Sequence, residues 1–438
     1  VLNIHKRWIF LMEERFDAII VGGGLAGLAA AYTLAEAGQE VLLLERGDYS
    51  GAKNITGGRM YIRPIKDMFP DLWEKAPFER GVAHEEVCVM SGSGSLLVRY
   101  SGEEAPYQSY SVMRAKFDKY FAKQAERKGV SIVTKTRVDD LVWADGKVAG
   151  VIVGDDELRA DVVIACDGVM SLIAEKAGLR KPGNPKHYAV GFKEIIELDQ
   201  ELLEARFNLK DDQGVARLFV GDVTKGKFGG GFLYTNKSSI SLGMVMGISD
   251  LMNEEPMIPA PEMLELFKKR PEVSALIEEG QIAEYSAHVI PEGGYRHLSN
   301  LCGNGILVCG DAAGFSINSG MTVRGMEYAM GSGYYAAQAV LKAKELKDFY
   351  CTGLSVYEKL LNDSFIMKDF KTFQDVPEAM DNKRLFTYYP ELAINMMQKL
   401  YDIPDGPKDR IIPTVKGMLG FREIWTIVTK DLRRMMKL

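Results

Sequence analysis

Between Phe16 and Glu45 the chain spells a complete strand–turn–helix–strand unit, and no other stretch restricts its fold as much. Phe16–Val21 is a short apolar run of the kind buried in a parallel sheet. Gly22-Gly23-Gly24-Leu25-Ala26-Gly27 follows, then an alanine-rich helix to Ala37, a stop at Gly38, and a second strand, Glu40–Leu44. Gly22, Gly24 and Gly27 fill the three places of a dinucleotide fingerprint. The first makes the tight turn, the second lets backbone approach a pyrophosphate, and the third lets helix pack on strand. The free N–H groups of Leu25 and Ala26, opening the helix, then face the phosphates. Glu45 stands 18 residues after Gly27, placed for a ribose 2′-OH, with Arg46 beside it. An acid there disfavours a 2′-phosphate, so NADP is not expected at this site.

Two later segments repeat the logic of a strand ending in an aspartate. Asp161–Cys166 runs into Asp167-Gly168, and Gly305–Cys309 into Gly310-Asp311-Ala312-Ala313-Gly314. An aspartate at a strand end meets a ribityl hydroxyl while neighbouring N–H groups face phosphate. Three distant segments converging this way predict FAD. The expected fold is α/β: a Rossmann-like FAD domain with an inserted antiparallel-sheet substrate domain and a C-terminal helical portion. The FAD domain is placed at 14–75, 105–178 and 283–345, the substrate domain at 76–104 and 179–282, and the helical, partner-docking region at 346–438.

A chain of 438 residues matches two or three domains and buries a sizeable core. Its net charge of −6 argues against nucleic acid as a partner. From Lys408 onward, eight Lys/Arg face three acids, a local net of +5. The five cysteines, Cys88, Cys166, Cys302, Cys309 and Cys351, include no C-x-x-C pair, so no metal site and no iron–sulfur cradle is expected. Their sparse, odd number points to a reducing compartment. No apolar run approaches the roughly 20 residues of a membrane span. Val1–Leu11 reads as an upstream extension before a natural start at Met12.

Asp17–Gly24, Arg114–Asp118, Ala165–Gly168 and Gly310–Gly314 resemble the glutathione-reductase-like FAD superfamily, aromatic-hydroxylase branch. Ser50–Tyr61, Gly229–Asn236, Glu284–His288 and Thr322–Met326 are similar to the FixC family, flavoproteins akin to electron-transfer-flavoprotein:quinone oxidoreductase. The resemblance implies FAD, electron-transfer flavoprotein subunits of the FixA/FixB type as donors, and a membrane quinone as acceptor. It also implies a small ferredoxin-like partner, FixX, carrying an iron–sulfur cluster, within a FixABCX-type bifurcating complex on the inner face of the cytoplasmic membrane. Two departures matter. Ala174 stands where the hydroxylases approach an NADPH-assisting arginine, and the clustered C-terminal cysteines of the quinone oxidoreductase are missing. An alternative within this architecture is a geranylgeranyl-reductase-like enzyme that saturates isoprenoid double bonds.

The resemblance places Lys53, Asn54, Gly57, Gly58 and Arg59 beside the isoalloxazine, Arg114 at the FAD phosphates, and Val138 among the cofactor contacts. Gly320, Met321 and Thr322 are expected directly before a helix whose N-terminal dipole faces the flavin. Gly229–Gly231 leaves room for a flat head group, and Tyr234 or Thr235 is the candidate donor to a quinone oxygen. Phe232 and Tyr234 are expected to point opposite ways, and His288 to be structural. In the tail, Phe421, Ile424, Trp425, Val428, Leu432, Met435 and Met436 fall on one helical face among basic residues, the pattern of a helix that docks on a membrane or a partner.

Overall fold

A computed structural model describes residues 15–54, 57–105, 108–253, 258–408, 410–418, 420–432 and 436. The extension expected at Val1–Leu11 lies outside them. The strand Arg15–Val21 runs parallel to Val41–Leu44 on one side and to Asp156–Ala165 on the other, with Ile20 level with Leu43 and Ile164. Ile306–Val308 and Ser131–Val133 extend the parallel sheet at either end. The central segments Ala18–Val21, Val41–Leu44, Val162–Ala165 and Ile306–Val308 are apolar and buried because both faces of the sheet are covered there. The alanine-rich helix Leu25–Glu36 lies on one face and meets the long helix Met326–Leu346. They approach so closely that a Cβ on Gly333 would stand 2.1 Å from the Ala26 carbonyl oxygen.

The second sheet runs Gln281–Pro291, Tyr188–Glu197, Ser239–Gly247, Gly229–Thr235, Gln213–Gly221, Phe78–Ser91, Ser109–Val112, Gly58–Tyr61, with Gly94–Ser101 paired to Phe78–Ser91. It is antiparallel except where Gln213–Gly221 and Phe78–Ser91 run parallel. Gly58–Tyr61, Ser109–Val112 and most of Gln281–Pro291 come from segments expected in the FAD domain, so the chain crosses between the two layers repeatedly. These crossings bring Gly57 against Ile195 and Ser241 of the second sheet.

The helix expected immediately after Gly320–Val323 begins later. Ile317–Asn318 and Val323–Arg324 form a small hairpin, turned through Gly320 at φ +82°, and the helix starts only at Met326. Ser319 and Thr322 close the turn, with the Ser319 N–H donating to the Thr322 carbonyl at 2.9 Å. The C-terminal region is helical, but its first part belongs to the main core: Leu354, Tyr357, Leu361, Ile366 and Phe370 are buried against the parallel-sheet layer. Further on, Trp425, Val428, Leu432 and Met436 are exposed, while Asp431 is buried. Asp431 pairs with Arg384 at 2.9 Å and accepts from Asn382 and Tyr389. A π-helical turn, Ile427–Asp431, follows the helix Phe421–Thr426 and interrupts the regular spacing of the expected stripe. The side chains of Phe421, Ile424 and Met435 lie outside the described residues.

Candidate functional site

Each fingerprint glycine is fixed by a different neighbour. A Cβ on Gly22, which sits at φ +105°, would stand 2.3 Å from the Cys166 carbonyl oxygen, and one on Gly27 would stand 2.0 Å from the Gly22 carbonyl oxygen. A Cβ on Gly24 would meet only the Asn54 amide, at 3.7 Å. Gly22 and Gly27 are therefore required by the fold, whereas Gly24 faces open space. That space is a cavity of about 660 Å³ between the two sheets, within the usual range for a ligand site.

One wall of the cavity is Gly24, Leu25, Ala26, Asn54, Gly57, Gly58, Arg59, Arg114, Gly168 and Asp311. Gly320, Met321, Arg324 and Met326 close one end. The opposite wall comes from other strands of the second sheet: Gly191, Gly229–Gly231, Phe232, Tyr234, Val245, His288 and Ile290. Phe232 and Tyr234 point the same way, against expectation, and their rings stack at 5.3 Å. Residues two apart in a strand share a face. Thr235 takes the other face. Its hydroxyl accepts from the Val215 N–H at 2.9 Å, its carbonyl accepts from Ser111, and it does not line the cavity. Of the two donors proposed from sequence, only Tyr234 reaches the site.

Arg59 and Arg114 are each held by an acid, that of Arg59 being 26 residues away in sequence and that of Arg114 one helical turn on. Arg59 makes a two-pronged ion pair with Glu85 and donates to Ser109. Arg114 pairs with Asp118, whose carboxylate also accepts from Asn54. Glu45 is buried, its oxygens accepting from the Gly23 N–H at 2.8 Å and the Gly47 N–H at 2.5 Å. Besides its candidate ribose contact, it ties the glycine turn to the second strand. Arg46 and Lys53 are exposed, and neither they, Val138 nor Thr322 lines the cavity.

The residues present fit FAD. The helix Leu25–Glu36 has no side-chain cap and no acid in its first turn, leaving its N–H groups free for phosphate. Asp167 accepts the Ile173 N–H through one oxygen, and its other oxygen, Oδ1, is buried without a partner among the described residues. Ser50 Oγ, behind Gly23, is likewise without one. Unpartnered buried acceptors are rare in native structures, and hydroxyl-rich ligands satisfy them. Burial pushes the Asp167 carboxyl up to about 6, against the opposing pull of the Ile173 N–H.

Comparison with known proteins agrees. Two family models, each described as FAD dependent oxidoreductase, match residues 17–191 and 107–339. The chain is 45% identical over 399 residues to Protein FixC of Salmonella typhimurium, covering 90% of this chain and 92% of that protein. It is 41% identical to an Escherichia coli protein named probable electron transfer flavoprotein-quinone oxidoreductase YdiS, covering 93% and 95%. The chain belongs to the FixC family of FAD-dependent oxidoreductases. A solved geranylgeranyl bacteriochlorophyll reductase-like structure from Thermoplasma acidophilum shares its fold at a TM-score of 0.73 and 20% identity, covering 96% of this chain and 99% of that one.

For a FixC-family flavoprotein, the histidine expected to be structural gains significance. His288 lines the cavity and faces Asp311 from the opposite wall. Burial lowers its pKa and Asp311 raises it in part, while burial raises that of Asp311. Sequence reasoning missed this pair because His288 lies on a strand of the second sheet and Asp311 on the turn Gly310–Ala312 after the parallel strand Ile306–Val308, 23 residues apart. Among the described residues no group of metal-ligating side chains gathers, and no helix is long and apolar enough to cross a membrane.

Proposed function

We propose that this chain takes electrons from an electron-transfer flavoprotein of the FixA/FixB type and passes them to a membrane quinone, within a FixABCX-type bifurcating complex. FAD, when bound, supplies the chemistry, since flavin passes electrons singly or in pairs. The carrying observation is the meeting of the two walls. Gly24, Asn54 and Gly57–Gly58 offer backbone to a cofactor, and the side-chain-free strand Gly229–Gly231 lies across the same cavity, flanked by Phe232 and Tyr234. That arrangement fits a flat head group stacked near a flavin, with the Tyr234 hydroxyl as donor to one oxygen. The name carried by the YdiS relative supports the same donor and acceptor. An iron–sulfur cluster would reside on a FixX-type partner, as no described cysteines gather to hold one. Attachment would be peripheral, through the exposed Trp425, Val428 and Leu432 and the basic residues around them.

Anaerobic mixing of the chain with its flavoprotein donor, a FixX-type partner and a short-chain quinone tests this. Quinol should accumulate and stop when FAD is stripped. The chain alone should carry one non-covalent FAD and no stoichiometric iron, and NADH alone should bleach its flavin slowly or not at all. The apolar residues Leu218, Val220, Val245 and Ile290 along the cavity also suit an isoprenoid chain. Saturation of an isoprenoid double bond by the chemically reduced chain would favour that second reading.

A further inference from the structure

Lys193 is the least expected side chain in the molecule. It lies mid-strand in Tyr188–Glu197 and is 1% exposed. Its cross-strand partners are Gly243 on one side and Ser286 on the other, and Gly243 in turn pairs with Phe232. Residues directly opposite one another in a sheet share a face. Lys193 therefore stands on the face that carries Gly191, Phe232 and His288 into the cavity. Gly243 clears its path: a Cβ there would lie 2.4 Å from the Lys193 Cβ and 2.6 Å from the Phe232 ring. The amine ends beneath the flavin loop, where it donates to the Gly57 carbonyl. Gly57 and Gly58 line the cavity, so one peptide unit separates the amine from it.

An ammonium group has three N–H donors, and among the described residues Lys193 has one acceptor and no carboxylate at ion-pair distance. The groups facing it are few. Ser241 approaches Gly57 from the neighbouring strand, and Ser286 Oγ, in the row beside Lys193, is buried with no partner among the described residues. The charged groups felt there are Glu284, on the strand of Ser286, and Arg114, on the flavin side. Burial is the dominant effect and drives the lysine's pKa well down, Glu284 opposes it and Arg114 adds to it. A lone buried cation is among the costliest features a fold can carry, so a buried lysine is kept neutral until a negative charge arrives nearby. Electrons delivered to the cavity are such a charge.

We propose that Lys193 tunes the flavin site by redox-linked protonation: its amine, held behind Gly57–Gly58, binds a solvent proton when electrons enter the cavity and returns it when they leave. One N–H bond forms at Nζ on reduction and breaks on oxidation, and the electrons come from the proposed electron-transfer reaction. Lys193 is thus a positioning residue that acts through charge across the Gly57 peptide. The inference rests on the proposed placement of the flavin ring against Gly57–Gly58 but not on the identity of the acceptor.

The test is spectroelectrochemical titration of bound FAD across pH in the wild type, Lys193→Met and Lys193→Gln, without partners or quinone. The glutamine keeps an N–H for the Gly57 carbonyl and loses the titratable amine. Both variants should retain FAD, show a shallower dependence of midpoint potential on pH, and at neutral pH be at least tenfold harder to reduce, about 30 mV for a two-electron couple. An unchanged potential and slope in either FAD-loaded variant overturns the proposal. Loss of FAD from both also overturns it, making the lysine a prop for the loop. His288→Gln, on the substrate wall, separates the two failures. If it shifts the potential while the lysine variants do not, the ring is where it was placed and the tuning role alone is wrong; if none shifts it, the placement falls too.

Discussion

Arg114 and Asp118 face each other across one turn of helix, with Nε and Nη2 of the guanidinium each 2.8 Å from a carboxylate oxygen. Asp118 is fully buried and also accepts from Asn54 at 3.1 Å. One carboxylate thus orients both an arginine and an amide that line the cavity. Gly51 allows the approach, since a Cβ there would lie 2.6 Å from Asp118. Asp118→Ala leaves the half-buried Arg114 guanidinium without its carboxylate, a loss below the ~3–5 kcal/mol of breaking a fully buried pair. It should lower the thermal midpoint of the apo chain and weaken FAD retention. Asp118→Asn, which keeps some hydrogen bonding, should fall between. Differential scanning with and without added FAD measures both effects.

The glycine fingerprint makes a contrast that a binding assay can read. Gly24→Val should abolish FAD retention yet leave the apo chain folded, because the new side chain meets open cavity and only Asn54 at 3.7 Å. Gly27→Ala should damage the fold itself, since its Cβ would lie 2.0 Å from the Gly22 carbonyl oxygen. Circular dichroism of the two apo proteins decides it. Equal unfolding of both would remove the distinction drawn between a ligand-facing and a packing glycine.

FAD affinity should depend on pH through Asp167. Burial lifts its folded-state pKa from 3.8 to about 6, so this group favours the folded apo chain most below 3.8 and loses that contribution as pH rises to 6. A ribityl hydroxyl donating to the unpartnered Oδ1 would stabilise the carboxylate and lower its pKa again. Binding then releases a proton, and FAD affinity should rise as pH climbs through about 6 and level off above it. Asp167→Asn should bind more weakly at neutral pH and lose most of that dependence. Isothermal titration in buffers of different ionisation enthalpy counts the proton. A flat profile in the wild type would detach Asp167 from the ribityl chain.

The tail should dock outward. Trp425, Val428, Leu432 and Met436 expose apolar surface, and each basic residue near an anionic surface adds about 1 kcal/mol, screened by salt. Removing 418–438 should leave FAD content near wild type and abolish salt-sensitive binding to anionic vesicles or to a FixX-type partner. Some stability should be lost as well, because Asp431 fastens the tail to Arg384, Asn382 and Tyr389. Asp431→Ala in the full chain should reproduce the stability loss and spare vesicle binding. Loss of flavin on truncation would instead make the tail part of the core.

The sequence by itself determined what is local. The first βαβ unit, its glycines, the two later strand-end aspartates and the family resemblance all follow from residues within a few positions of one another, and apolar periodicity sets those elements before any packing. What tertiary structure decided is which side chains meet. Which face of Gly229–Thr235 fronts the cavity depends on the sheet that covers it, so Tyr234 enters the site and Thr235 is spent on Val215. Arg59 is held by Glu85, and Arg114 shares Asp118 with Asn54, 64 residues away. The small hairpin Ile317–Arg324 delays a helix that dipole reasoning would start at once. Lys193 reads in sequence as one polar residue in a strand, and only cross-strand register and the overlying Gly57 reveal it as a buried amine behind the cavity wall. Strand register and sheet-on-sheet packing are fixed by long-range burial, and no pattern along one segment encodes the partner it will meet.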